Sequence, residues 1–284
     1  MSQHTICLTQ ANVVNATNGA NTLVYQFPTS AQFKNHSIAL QSISVYYSWM
    51  SISAALGNNT FSFTIYPSEV FAYTYSIVIP DGAYSISDLN SYLKYWSIDN
   101  GLYMTNDTSG EHAYFASFSV NSVKYAVEVL TYSSILPAGW SLAMTFPPAP
   151  EPVLPWNPVL TFPSGFNLIV GYAAGFSTSS NSGVGTTLGY LSSIAPQVQP
   201  NSSVLVSCNS IQNKYSQSPI IYAFSSAGTA FGELILSRPS QLSFSPLMSG
   251  IYSELRVTLL STNLTPLSML DPNITILLVI QENV

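Results

Sequence analysis

The residues able to do chemistry are few and far apart in the chain. Three histidines, His4, His36 and His112, stand singly, with no His-x-His, His-Glu-x-x-His or Cys-x-x-Cys spacing, so the pattern assigns no metal site. The two cysteines, Cys7 and Cys208, are too few for a disulfide framework and are expected as free, mostly buried thiols. A nucleophile pair between Cys208 and a distant histidine has no local support, and a small buried thiol is the expectation. Neither a Gly-x-Ser-x-Gly elbow nor a phosphate-cradling Gly-x-x-x-x-Gly-Lys-Ser/Thr loop occurs. The acidic residues are spread singly, and Asp81-Gly82 and Asp271-Pro272-Asn273 read as turn formers at strand ends. The chain is therefore expected not to be an enzyme, with no catalytic, cofactor-binding or metal residues and no cofactor.

Charge is the compositional anomaly. Six Lys or Arg and twelve Asp or Glu make 6% of 284 residues, against about a quarter in an ordinary globular chain. Such a chain sits in lipid or hides much of its exterior against other protein. A spanning helix needs about 18 or more consecutive apolar residues. The most apolar stretches, Phe166 to Phe176 and Ile274 to Ile280, are shorter and interrupted by polar residues or glycine, so no membrane span is expected. Met1 to Cys7 lacks the basic, apolar pattern of a secretion signal, so synthesis in the cytosol without secretion is expected. Without that route, the Asn-x-Ser/Thr sequences starting at Asn15, Asn35, Asn58, Asn106, Asn201, Asn263 and Asn273 read as chance occurrences. A net charge of −6 and six scattered basic residues leave no cluster for a run of phosphates, so no direct nucleic-acid binding is expected.

The elements that must carry these residues read as strands. Short apolar or alternating runs bounded by Pro, Gly, Asn and Ser fall at Thr22 to Phe27, Ser37 to Tyr47, Thr60 to Tyr66, Tyr73 to Ile79, Tyr114 to Val120 and Lys124 to Leu130. They continue at Ser203 to Cys208, Ile220 to Phe224, Phe231 to Leu236, Glu254 to Leu260 and Ile274 to Ile280. Their spacing is that of an antiparallel sandwich. Leu89, Leu93 and Trp96 recur at helical spacing after Ser87 and before Asn100-Gly101, which predicts one amphipathic helix from about Asp88 to Ile98. A short helical turn or a strand is expected between Ser164 and Gly171. Seven prolines between Phe146 and Pro163 predict an extended connector, and the Ser/Gly tract from Ser177 to Gly185 predicts an exposed loop. The run Ile274 to Ile280, apolar on both faces, predicts a buried strand whose removal unravels the fold.

Three stretches together resemble a family. Tyr25-Gln26-Phe27-Pro28, the run Ile38 to Trp49 and Asn58 to Phe63 look like the opening of the penton (minor capsid) proteins of virophages and Polinton-type DNA viruses. Ile79-Pro80-Asp81-Gly82-Ala83-Tyr84, leading to Leu89, is similar to that family's Pro-x-Gly-x-Tyr turn into a helix. Leu255 to Leu260, then Pro266-Leu267 and Ile274 to Leu278, resembles its closing strand pair, whereas Ser133 to Pro163 departs from the pattern. The resemblance implies an all-β protein, an antiparallel jelly-roll β-sandwich with one short amphipathic helix, forming a single domain over residues 1–284 with an inserted segment near 133–163. It implies a homo-pentamer at the five-fold vertices of an icosahedral capsid, built with a double-jelly-roll major capsid protein, and hence a place in the virion. It carries over no catalytic residue. The alternative expectation is a carbohydrate- or receptor-binding β-module, fibre- or lectin-like, for which Trp49, Trp140 and Trp156 are the aromatic candidates.

Overall fold

Residues 3–15, 21–66, 72–134, 138–143, 156–180, 187–198, 203–212 and 219–283 are described by a computed structural model. In chain order the elements are β1 (Gln3–Thr9), a 3-10 turn (Gln10–Asn12), β2 (Val13–Asn15), β3 (Asn21–Phe33), β4 (His36–Tyr46), β5 (Thr60–Ile65), β6 (Tyr73–Val78) and α1 (Ile86–Asp99). Then come β7 (Tyr103–Asn106), β8 (His112–Tyr114), β9 (Ala116–Asn121), β10 (Ala126–Thr131), β11 (Trp140–Leu142), β12 (Val159–Phe162), α2 (Phe166–Val170), β13 (Phe176–Ser177) and β14 (Leu188–Leu191). The last are β15 (Ser203–Cys208), β16 (Ile220–Ser225), β17 (Leu234–Ser237), β18 (Ser245–Pro246), β19 (Gly250–Leu260) and β20 (Ile274–Glu282).

The chain divides into two compact units, residues 1–50 with 201–284, and residues 51–200. In the first unit, one sheet runs β1-β20-β4-β17 with β18 also on β4, and the other runs β16-β15-β19-β3-β2. Lettering β1, β3, β4, β15, β16, β17, β19 and β20 as B to I, the sheets read B-I-D-G and F-E-H-C. That is the strand order of an antiparallel jelly roll. Because strand side chains alternate between faces, the register sorts them into rows. Leu8, Ile276 and Ile43 form one row, and Ile6, Leu278 and Leu40 the next. These residues are buried and belong to one core with Leu23, Val257 and Cys208 of the other sheet. The intervening rows, such as Thr9, Thr275, Ser44 and Leu236, point to the opposite face. A bulge between Leu277 and Leu278 leaves Gln41 as the extra residue of β4 and keeps both halves of the strand in phase with the core.

The second unit holds the sheets β13-β12-β5-β6, β14-β10-β9 and β11-β7-β8 together with both helices. Its core is aromatic: Phe61 stacks on Phe166 at 4.8 Å between ring centres, and Tyr172 on Phe176 at 4.4 Å. The helix α1 turns Ile86, Leu89 and Leu93 inward. It is capped by Ser85 rather than by the expected Ser87, because only Ser85 has a carboxylate three residues on. The Asp88 N–H donates to Ser85 Oγ at 3.1 Å, and the Ser85 N–H donates to Asp88 Oδ2 at 2.9 Å. Between Ser164 and Gly171 the chain is helical, and α2 stops at Gly171, whose φ of +77° is left-handed.

Several expectations are corrected. The connector predicted over 146–163 ends in a strand, since β12 fits between Pro158 and Pro163 and pairs with both β5 and β13. Prolines 147, 148, 150, 152 and 155 lie outside the described residues, as do 181–185 of the Ser/Gly tract. The run Tyr114 to Val120 is two strands broken at Phe115, a residue buried in the core.

Two substitutions test local determinants of this fold. Ser85→Ala removes the side chain that accepts from Asp88 N and is expected to cost about 1 kcal/mol in chemical denaturation. Loss of this reciprocal hydrogen bond also releases Asp88, whose carboxyl it holds below the usual range. A depressed carboxyl stabilises above its unfolded pKa and loses that contribution as pH falls through the folded value. The Ser85→Ala deficit should therefore shrink in acid. Gly171→Ala places a Cβ against the backbone carbonyl of Ile194 at a left-handed φ. It should lower stability by about 2 kcal/mol or more, read from the same denaturation curves.

Candidate functional site

Most of the candidate chemical residues are held in local structural contacts. At the β3–β4 turn, where Asn35 adopts φ +54°, His36 Nδ1 lies 2.8 Å from the Lys34 carbonyl oxygen and the ring packs 5.4 Å from that of Phe33. His112 Nδ1 lies 3.3 Å from Thr105 Oγ1 across the β7–β8 pair, and its ring meets Tyr103 at 4.7 Å. His4 sits on β1 opposite Ile280. Among the described residues, no three His, Cys, Asp or Glu side chains come together as a metal-binding group. The acidic turn residues do what their sequence context predicts: Asp81 Oδ1 accepts from Ala54 N at 2.8 Å, and Asp271 Oδ1 accepts from Asn273 N at 2.8 Å.

The thiols differ. Cys208 lies in the jelly-roll core at 0% exposure, and burial pushes its pKa up to about 11, so it is a packing group. Cys7 is exposed, contrary to expectation. The reason is register: on β1 the core-facing positions are Ile6 and Leu8, so the residue between them faces outward. The three tryptophans proposed for ligand contact also move inward. Trp49 and Trp156 are each 2% exposed in the two cores, and Trp140 is half-buried against the core of the 51–200 unit. Aromatic rings of β-proteins are core material first, and here no tryptophan among the three offers an exposed stacking face.

The two sheets of the jelly roll differ on their outward sides. On the β16-β15-β19-β3 sheet, Arg256 Nη2 donates to Glu254 Oε1 at 2.9 Å and Gln26 Nε2 donates to Glu254 Oε2 at 3.1 Å. These contacts hold the Glu254 carboxyl below its ordinary range. On the β1-β20-β4-β17 sheet, the outward positions from Thr5, Cys7 and Thr9 across to Leu234 and Leu236 include no Asp, Glu, Lys or Arg, and those of the central strands at Ser37, Ala39, Ser42 and Val279 are buried. At one end of that face an open cleft of about 260 Å³ is lined by Thr9, Ser44, Tyr46, Leu234, Asn273 and Thr275, among others. Charge is also partitioned along the chain. Residues 1–50 and 201–284 carry Glu233, Glu254, Asp271 and Glu282 against Lys34, Lys214, Arg238 and Arg256 and are net neutral, so the net charge of −6 resides in 51–200.

The strand order defines the class, an antiparallel jelly roll; no family model and no curated protein matches this chain. Among solved structures, it is similar to the SeMet-labelled mavirus penton protein at 10% sequence identity, with 99% of each chain covered and a TM-score of 0.47. The jelly-roll assignment stands on the strand order of this chain itself.

The thiol geometry predicts one reagent-accessible cysteine in the folded protein and two after denaturation, counted by mass spectrometry. Cys7→Ser should abolish labelling of the native state. The raised Cys208 pKa stabilises the fold fully below the unfolded thiol value of 9.0, and the contribution fades as pH rises towards about 11. Stability of the wild type should therefore fall between those pH values by about 2–3 kcal/mol more than that of Cys208→Ala.

Proposed function

We propose that this chain is a structural virion protein, a penton (minor capsid) protein whose homo-pentamers occupy the five-fold vertices of an icosahedral capsid beside a double-jelly-roll major capsid protein. The observation that carries the reading is the jelly-roll strand order of residues 1–50 and 201–284, combined with a net charge of zero over that unit. A closed ring uses two different flanks of every subunit. Permanent interfaces of that kind are depleted in charged residues at their centres. The motif resemblance, from Tyr25-Gln26-Phe27-Pro28 to the pair Leu255–Leu260 and Ile274–Leu278, supports the same assignment.

In this reading the protein is non-enzymatic, needs no cofactor and resides in the virion after assembly inside the host cell. The 1–284 chain is one jelly-roll domain, and we take the whole unit 51–200 as its insertion, entered after β4 and left before β15. That is a larger insertion than the 133–163 segment suggested by motif comparison.

The test is direct. Purified protein, alone and mixed with its major capsid partner, should form five-fold rings or shells visible by negative-stain electron microscopy, with a matching mass by light scattering. A compact monomer at high concentration that does not associate with the major capsid protein overturns the proposal.

A further inference from the structure

We infer that the cleft at the end of the β1-β20-β4-β17 sheet is a binding site for a neutral sugar, a single pyranose ring held by a row of hydroxyls and by the Tyr46 ring. The inference goes beyond the assembly reading and does not rest on it. Every residue lining the cleft belongs to the jelly-roll unit, so the site is complete within that unit.

Three observations carry it. The first is the floor. The register places Thr9 of β1 opposite Thr275 of β20, and Thr275 opposite Ser44 of β4, so three hydroxyl side chains stand in one row across three adjacent strands. Neighbours in such a row are about 5 Å apart at Cβ. Ser44 and Thr275 make no side-chain hydrogen bond to the described residues, so their hydroxyls are left for water or a ligand. Thr9 is fixed at the end of β1, where its N–H donates to Asn12 Oδ1 at 2.9 Å. Side chains mounted on paired strands are positioned before any ligand arrives.

The second is Tyr46. It stands opposite Leu234 and is half-buried, yet it packs against neither hydrophobic core. Among the described residues its hydroxyl has no hydrogen-bond partner and its ring no aromatic neighbour. Tyr46 and the half-exposed Leu234 thus give the cleft an apolar wall beside the hydroxyl floor. A pyranose has the same division, with C–H groups on its ring faces and hydroxyls around its edge. An aromatic ring covers the former, and hydroxyls and amides meet the latter. Asn273 supplies the amide: its backbone N–H and its Nδ2 both donate to Asp271 Oδ1 at 2.8 Å, which orients the side chain and leaves its Oδ1 to accept.

The third is what the cleft excludes. Among the described residues no Asp, Glu, Lys, Arg or His lines it. A phosphate or carboxylate finds no base there and a cation no acid, so the occupant is uncharged. An extended peptide recognised through its backbone needs a free strand edge. The floor strands β20 and β4 are each paired on both sides, so the cleft offers side chains only. Its volume of about 260 Å³ falls just below the usual small-molecule range of about 300–1,000 Å³, the size for one ring rather than a chain of them. Its open mouth leaves further sugars of a glycan in solvent.

In the full-length protein, methyl glycosides of neutral hexoses and N-acetylhexosamines, titrated by saturation-transfer NMR, should bind with roughly millimolar affinity, as fits one ring with few contacts. A glycan array should report neutral termini over sialylated ones. Thr275→Val, which keeps the side-chain shape and removes one hydroxyl, should weaken binding about fivefold. Tyr46→Ala, which removes the wall, should weaken it roughly tenfold or more. Tyr95→Ala changes an exposed tyrosine of α1 outside the cleft and should leave binding unchanged. Matched melting curves establish that the three variants are folded. Binding of the free glycosides, or of the same rings only at glycan termini, upholds the inference when the cleft variants weaken it. The inference is overturned if no neutral sugar binds well above the millimolar range, if sialylated glycans are bound in preference, or if Thr275→Val and Tyr46→Ala both bind as wild type does.

Discussion

The placement of β20 between β1 and β4 is the constraint on which the jelly roll depends. It brings residues 274–282 against residues 3–9 on one side and 36–46 on the other, so the sheet closes only after most of the chain has been threaded. Pairings this distant in sequence carry a large loop-closure cost that must be met before the core contacts form. What offsets it is continuity of burial. Ile274, Ile276, Leu278 and Ile280 all enter the same core as Leu255, Val257 and Leu259 of the facing sheet. At about 1.5–3 kcal/mol for each large side chain taken from water, one misregistered strand would forfeit several of these contributions at once. The two sheets therefore specify one another, and the bulge at Gln41 is the local adjustment that keeps β4 and β20 in phase along their length.

The same alternation determined how much of this could be read from sequence. β20 was legible because it is apolar on both faces, and β15 because Val204, Val206 and Cys208 alternate inside a short run flanked by Asn and Ser. β1 was not, because Gln3, His4, Thr5 and Thr9 outnumber Ile6 and Leu8, and its strand character comes from the partner that pairs with it. Helix α1 was legible from Leu89 and Leu93, but its start lies at Ser85 and not at Ser87, because the carboxylate of Asp88 reaches back to Ser85, which helical spacing does not reveal. The very short strands β7, β8 and β11 have no periodicity of their own and exist through the core of the 51–200 unit.

For the candidate site, sequence spacing yielded the separation of the histidines and the turn roles of Asp81 and Asp271. It could not give orientation. A cysteine between Ile6 and Leu8 faces water by parity, whereas Cys208, also in a strand, faces the core, and residue type alone does not distinguish the two. The tryptophans show the complementary failure, since a large aromatic beside polar loop residues reads equally as ligand platform or core anchor until its neighbours are known. Trp49 against the Tyr47 ring at 4.6 Å is the latter.

The scarcity of charge acquires a physical meaning from where hydroxyls replace it. On the outward rows of the β1-β20-β4-β17 sheet Thr5, Thr9, Ser44 and Thr275 reach water, whereas Ser37 and Ser42 are already buried. A hydroxyl is hydrated well enough to keep such a surface in solution, yet removing it from water costs far less than removing an ion. An amide or hydroxyl loses a few kcal/mol at most when it finds a partner or a bridging water, whereas an unpaired buried charge costs several times that. A surface of hydroxyls and leucines can thus exist in both hydrated and covered states, and a surface of lysine and glutamate cannot make that change cheaply. The ionised residues are accordingly absent from this face and most numerous in the 51–200 unit, where eight of the twelve acids lie.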